Sequence, residues 1–372
     1  MKKTTIFLFI SLLLFSCKKA KVNIQNANTK NTKVFYLKTQ NNDILNNLID
    51  SISFMEIKED NDSYFNTIDK LVVNENNIYI LDRFGSKSLF QFNLNGDFIR
   101  KIGNKGMGPG EYVNLCDFDI DSKSIYLCDR AKKKILQYNL NGDFIKQTTL
   151  QFRVDGIKAL ANEKYLLSVL KDQNNHKIFL TDKYFNVEKK YFYYESKDND
   201  NKGSDNIFQD VNNFILYNKA TNDTIFAFSK NGQLIENYYF DFGSNKVPED
   251  LRYDHEKLAV ERTKRNIIYF YNTPMIVKDI LIGQIFFDGC KATLLYDMKK
   301  KEYSITQLKP HEVSYNNLLF PLFANQKFII SWLDYSIYEI LKNKPLLNEK
   351  TLKSLKDGKR VLCFYHLKNE KK

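Results

Sequence analysis

From about residue 69 onward, apolar side chains recur at every second position. Phe90, Phe92 and Leu94 share one parity, and Leu89, Gln91 and Asn93 the other. That is the period of a strand, not the 3.6 of a helix. The seven residues N-L-N-G-D-F-I at 93–99 recur letter for letter at 139–145, a spacing of 46. Upstream, Ile78-Tyr79-Ile80 and Asp82-Arg83 match Ile125-Tyr126-Leu127 and Asp129-Arg130 at a spacing of 47, as Leu71 and Val73 match Phe118 and Ile120. A one-residue insertion or deletion between Phe84 and Leu89 reconciles the two spacings. Weaker echoes follow. Asn186 lies 45 after Asn141, and Asn231-Gly232 follow after another 45. A repeat of ~45 residues holding several short strands is the pattern of a β-propeller.

Each repeat reads as four strands. In the first, strand a covers 69–74, b 77–82, c 88–93 and d 97–102. Asn95-Gly96 forms the c–d hairpin, because both residues tolerate positive φ. Four blades cover 67–243, a fifth fits 267–308, and a sixth fits 315–340 together with 360–368. The apolar stretch 52–57 is expected to join the last blade and close the ring, removing an open edge. Two insertions predict helices: 248–262, with Pro248 at its start and acidic residues in its first turn, and 336–356, broken near Pro345. The expected fold is all-β, a six-bladed β-propeller of four-stranded blades with short helical insertions, occupying 34–372. The 29 Phe and 23 Tyr agree, since flat rings pack well on a pleated surface.

These residues resemble the six-bladed β-propeller lipoproteins of Gram-negative bacterial envelopes, related in architecture to NHL-repeat propellers. The likeness is carried by the residues 78–82, by G-N-K-G-M-G-P-G-E-Y at 103–112, by Y-Y-F-D-F-G at 238–243 with Pro248 after it, and by the terminal strand 361–368. It covers 34–368. The resemblance implies the propeller fold and an envelope location, and carries no settled reaction or ligand.

The N-terminus points to the same compartment. Residues 1–5 are basic and 6–15 are an apolar run of ten, too short to span a bilayer and suited to a secretory signal. Leu14-Phe15-Ser16-Cys17 resembles the lipobox of bacterial lipoproteins, whose Cys becomes the acylated N-terminus. Residues 1–16 are therefore expected as signal peptide, Cys17 as the palmitate-bearing residue, and 17–33 as a flexible tether. Its Lys18, Lys19 and Lys21 would lie near anionic headgroups. By analogy with lipoproteins, the lack of an Asp after the Cys, and of an acidic cluster, favours an outer-membrane anchor facing the periplasm. Cys116, Cys128, Cys290 and Cys363 hold no C-x-x-C and are expected as buried free thiols.

The net charge of +12 is spread along the chain. A Lys-rich composition without a partner and an acidic partner both stay open. The Gly-rich run at 103–112 lacks the G-K-[ST] of a phosphate loop. It reads as a crossing between blades, or as a backbone nest for an anion. The Asp82-Arg83 and Asp129-Arg130 pairs fit repeat geometry, with Asp bonding loop amides and Arg pairing locally, or a basic rim. Strand order puts the b–c and d–a loops on one face, gathering Arg83, Lys87, Lys105, Arg130 and Lys132 to Lys134 with the insertion that bears Arg252, His255, Arg262 and Arg265. Candidate ligand-binding residues are Arg83, Lys105, Arg130, Arg252 and His255. His176, His255, His311 and His366 are scattered without ligand spacing, so no metal, cofactor or catalytic residue is assigned. Nucleic acid is not an expected partner, because the aromatics alternate as core. Two functions stand: a non-enzymatic binding or interaction module for an acidic glycan or envelope protein, or a metal-dependent propeller hydrolase or lyase acting on a lactone or sugar.

Overall fold

The structure, a computed structural model, describes residues 23–25, 31–59, 63–171, 175–198, 206–219 and 221–369. Four short strands and a helix precede the blades: β1 (Asn23–Gln25), β2 (Thr32–Tyr36), β3 (Thr39–Gln40), α1 (Ile44–Leu48) and β4 (Ile49–Glu56). Blade 1 holds β5 (Lys70–Asn74), β6 (Asn77–Asp82), β7 (Ser88–Asn93) and β8 (Phe98–Ile102). A two-stranded ladder, β9 (Asn104–Lys105) and β10 (Glu111–Tyr112), leads to blade 2. That blade holds β11 (Leu115–Ile120), β12 (Ser124–Asp129), β13 (Lys134–Asn139) and β14 (Phe144–Thr149).

Blade 3 holds β15 (Val154–Ala159), β16 (Tyr165–Val169), β17 (His176–Thr181) and β18 (Val187–Tyr193). Blade 4 holds β19 (Phe208–Val211), β20 (Phe214–Asn218), β21 (Thr224–Ser229) and β22 (Leu234–Asp241). Helix α2 (His255–Arg265) lies on the way to blade 5. There β23 (Tyr269–Phe270) and β24 (Met275–Val277) share the first position, followed by β25 (Ile280–Phe287), β26 (Cys290–Asp297) and β27 (Glu302–Gln307). Blade 6 runs β28 (Phe323–Ala324), β29 (Phe328–Leu333), then α3 (Tyr335–Ile340), α4 (Glu349–Lys356) and β30 (Val361–Leu367), with β4 as its fourth strand.

The repeated heptapeptide builds the c–d turn. Asn93 Oδ1 accepts from the amides of Asn95 at 2.8 Å and Asp97 at 3.0 Å. Gly96 takes φ +79°, which costs a glycine nothing. A Cβ on Gly96 would also lie 1.9 Å from the Glu56 carbonyl oxygen. The turn of blade 1 therefore presses against the outer strand of blade 6, and the Lys58 amide donates to Gly96 O at 2.9 Å. The ring closes as expected: β4 pairs antiparallel with β30 along its length. Phe65, Ile80, Phe90, Phe92, Ile330 and Leu362 then form one core between blades 6 and 1. Each such fully buried large side chain is worth about 1.5–3 kcal/mol.

The stretch expected as a tether differs from that reading. β1 lies parallel on β18, β2 on β22 and β3 on β27, so strand pairing begins inside 17–33. These strands of two to five residues add to finished sheets and need no alternation of their own, which leaves them silent in the sequence. Phe35 anchors the segment, with ring centroids 5.2 Å from Phe240 and 5.4 Å from Tyr296. Helix α2 starts later than expected, at His255, because Asp254 caps it by accepting from the Lys257 amide at 3.0 Å. Cys116, Cys128 and Cys363 are buried free thiols, but Cys290 is exposed at the start of β26. Among the described residues no helix is long and apolar enough to cross a membrane. The signal peptide, Cys17 and its lysines lie outside the described residues.

Candidate functional site: the loop face and the channel

At the b–c corners of blades 1 and 2, the aspartates serve the backbone. Asp82 accepts from the amides of Asn66 at 2.9 Å, Gly85 at 2.8 Å and Ser86 at 2.7 Å, and from Thr67 Oγ1 at 3.0 Å. Burial alone would raise its pKa, but these donors hold it below the usual carboxylate range. Asp129 does the same for the amides of Val113 at 2.8 Å and Ala131 at 3.0 Å. The arginine beside Asp129 does not pair with it. The Arg130 guanidinium reaches Asp155 on the first strand of blade 3. The Arg83 amide donates to Asp69 at 2.6 Å. Burial would push the Cys116 thiol up, yet contact with Cys128 and the nearby charges of Arg130 and Arg83 draw it down.

The Gly-rich crossing fills its own nest. Glu111 Oε2 accepts from the Gly108 amide at 2.7 Å, and the Gly106 amide donates to Tyr112 O at 3.0 Å. A Cβ on Gly106 would lie 2.0 Å from Glu111 Oε2, so only glycine lets the carboxylate fold inward. Lys134 Nζ ties the loop to blade 2 through Glu111 O at 2.7 Å. Lys105 stands exposed on this crossing, and Lys132 and Lys133 on the adjacent corner. Among the described residues none of the three has an ion-pair partner.

Arg252 and His255 are not brought to that patch. They belong to the connection between blades 4 and 5, across the ring. There the cations are already matched. Lys177 lies 2.8 Å from Asp198, whose other oxygen meets Lys219. Lys171 Nζ donates to the carbonyls of Glu195 at 3.1 Å, Ser196 at 3.0 Å and Asp198 at 2.6 Å. The Tyr253 hydroxyl donates to Glu195. Burial pushes Asp223 up to about 6, against the pull of Arg252 and Lys246. Sequence reasoning missed this cluster because Lys177, Asp198 and Lys219 come from separate strands and loops.

The first strands of the blades line a central cavity of about 370 Å³. Lys70 Nζ lies 2.8 Å from Asp117, which also accepts from the Ile157 amide at 2.9 Å. Lys158 lies 3.0 Å from Asp119 and 3.2 Å from Asp210, and Lys230 caps Asp210. Burial pulls the Lys158 pKa down, but the two carboxylates outweigh it and hold it above the usual lysine range. Blades 5 and 6 complete the wall with Ile276, Phe323 and Ala324. The channel's acids and bases neutralise each other across blades 1 to 4. Among the described residues no group of three His, Cys, Asp or Glu side chains is placed to hold a metal ion.

The chain matches, over residues 17–360, the family described as Domain of unknown function (DUF4934). No curated protein matches it. A protein of Bacteroides fragilis described as exported is 18% identical, with 91% of this chain and 100% of that chain covered and a TM-score of 0.72. A member of the DUF4221 family from Bacteroides vulgatus is 12% identical, over 86% of this chain and 97% of that one, with a TM-score of 0.53. At these identities the likeness establishes the propeller fold alone. A virginiamycin B lyase of Staphylococcus aureus reaches a TM-score of only 0.38 at 13% identity, over 69% of this chain and 74% of that one, too low to argue for lyase chemistry.

Proposed function

The chain belongs to the DUF4934 family, and from that premise we propose that it is an envelope lipoprotein whose loop face, at blades 1 and 2, binds an acidic glycan without catalysis. The observation that carries this reading is the patch of exposed Lys105, Lys132 and Lys133 beside Arg83 and Arg130. No carboxylate among the described residues pairs with the three lysines. Loops on a rigid scaffold are suited to recognition, because they vary while the blades stay fixed. Exposed cations give modest, salt-sensitive affinity and steer an anionic ligand toward the face. Arg130 contributes less than the lysines, because Asp155 already holds its guanidinium.

In this reading Cys17 carries the acyl chain, and the propeller hangs from the outer membrane into the periplasm. The residues at 14–17 support the anchor, and the B. fragilis protein's description as exported agrees with it. Labelled palmitate should enter the wild type and not Cys17→Ser; equal labelling would contradict the anchor. For the ligand, binding to an array of acidic glycans should weaken roughly tenfold in the triple variant Lys105→Ala, Lys132→Ala, Lys133→Ala, as expected for the loss of three exposed ionic contacts. Its melting should not change. Undiminished binding would overturn the assignment.

A further inference from the structure

Blades 3, 4 and 5 wear a fifth strand, donated in turn by β1, β2 and β3. Among the described residues the outer strands of blades 1 and 2 take no added strand: β8 pairs with β7 and β14 with β13, and blade 1 has one bridge, Lys58 to Asp97, just before β8. An unpaired edge presents a row of N–H and C=O groups that can template another strand.

The chemistry of a fitting strand follows from superposing blade 2 on blade 4. Their c–d turns align Gly142 with Gly232, which sets Phe144 on Leu234, Ile145 on Ile235 and Lys146 on Glu236. The bulged pairing agrees: Gln137 faces Lys146 where Ala227 faces Glu236. On blade 4, Glu236 receives Lys33 of the added strand at 2.8 Å. On blade 2 the charge is inverted. Lys146 is exposed and has no ion pair among the described residues. Beside it on the same strand Phe144 is 39% and Ile145 50% exposed. The edge is therefore apolar and basic. The chain's own residues before β1 fit it badly, because Lys18, Lys19 and Lys21 would bring like charge to Lys146.

We propose that β14 accepts an extended acidic segment of a partner protein as a parallel fifth strand, with an acidic side chain meeting Lys146 as Lys33 meets Glu236. This is independent of the loop-face reading, since the edge and the loops are different surfaces. The probe is a labelled peptide of residues 31–40 carrying Lys33→Glu, added to the full chain and compared with the unaltered peptide. The altered peptide should bind about threefold more tightly, the size of one exposed ion pair. It should protect the amides of 144–149 from hydrogen exchange. In Lys146→Glu the preference between the two peptides should reverse. Protection of β22 instead would mean that the peptide had merely replaced β2, and would overturn the proposal. So would a preference indifferent to Lys146→Glu, or no protection of either strand.

Discussion

Asp82 in blade 1 and Asp223 in blade 4 both sit buried at b–c corners, yet their surroundings differ. Asp82 is met by three amides and a hydroxyl, all from its own corner or the preceding crossing. Asp223 has an oxygen with no partner among the described residues. The difference extends over the two halves of the ring. In blades 1 and 2 the corner aspartates are satisfied locally, the loop lysines stay exposed and, among the described residues, the outer edges take no added strand. In blades 3 to 5 the edges are laced by the N-terminal segment and the loop cations are tied to Asp198 and to the 195–198 carbonyls. The half with the plainest repeat is the half with groups left over, because among the described residues no added strand covers them.

The largest effect should come from cutting that lacing. Deleting residues through Glu59 removes β4 as well and opens blade 6. Cooperative melting should be lost or aggregation should set in, and unchanged melting would mean that another strand closes the ring. Within the laced half, Phe35→Ala should cost about 3–5 kcal/mol by denaturant titration, as a buried aromatic anchor does. Phe144→Ala, on the bare edge, should cost less than ~1 kcal/mol. Equal costs would erase the contrast between the halves.

Asp198→Asn should also cost about 3–5 kcal/mol, because it leaves buried lysine charge unmatched. The two corner aspartates give the smallest and most diagnostic effect. Asp82 has a lowered pKa, so its stabilisation is present above the normal carboxylate range and is lost as pH falls through its folded value. Asp82→Asn should lower the melting temperature at pH 7, and the deficit should shrink in acid. Asp223 has a raised pKa, so its favourable contribution is present below pH 3.8 and is lost as pH rises through about 6. Asp223→Asn should therefore melt higher than wild type at pH 8 and the same near pH 3.5. Matching pH profiles for the two variants would contradict the distinction.

The sequence showed most plainly what repeats. N-L-N-G-D-F-I marks the turns of blades 1 and 2, since the turn needs Asn acceptors and a positive-φ Gly within five residues. Ring closure by residues around 52–57 was legible for the same reason, as an apolar strand with no blade of its own. The lacing was not legible, because Thr39-Gln40 or Asn23–Gln25 need only backbone groups to pair. Nor was the Arg130–Asp155 pair, which joins different blades, or the meeting of Lys177, Asp198 and Lys219. The face shared by Arg83, Lys105 and Arg130 followed from strand order. The separation of Arg252 and His255 from it did not, because strand order says which face a loop is on and not how far round the ring.

The most direct test of the account is hydrogen–deuterium exchange on the full chain with and without a saturating acidic polysaccharide at low salt. The account predicts protection at 103–114 and 130–133, on blades 1 and 2, that disappears as salt screens the lysines. Protection centred on 195–198 and 249–265, or on the channel strands, would contradict it.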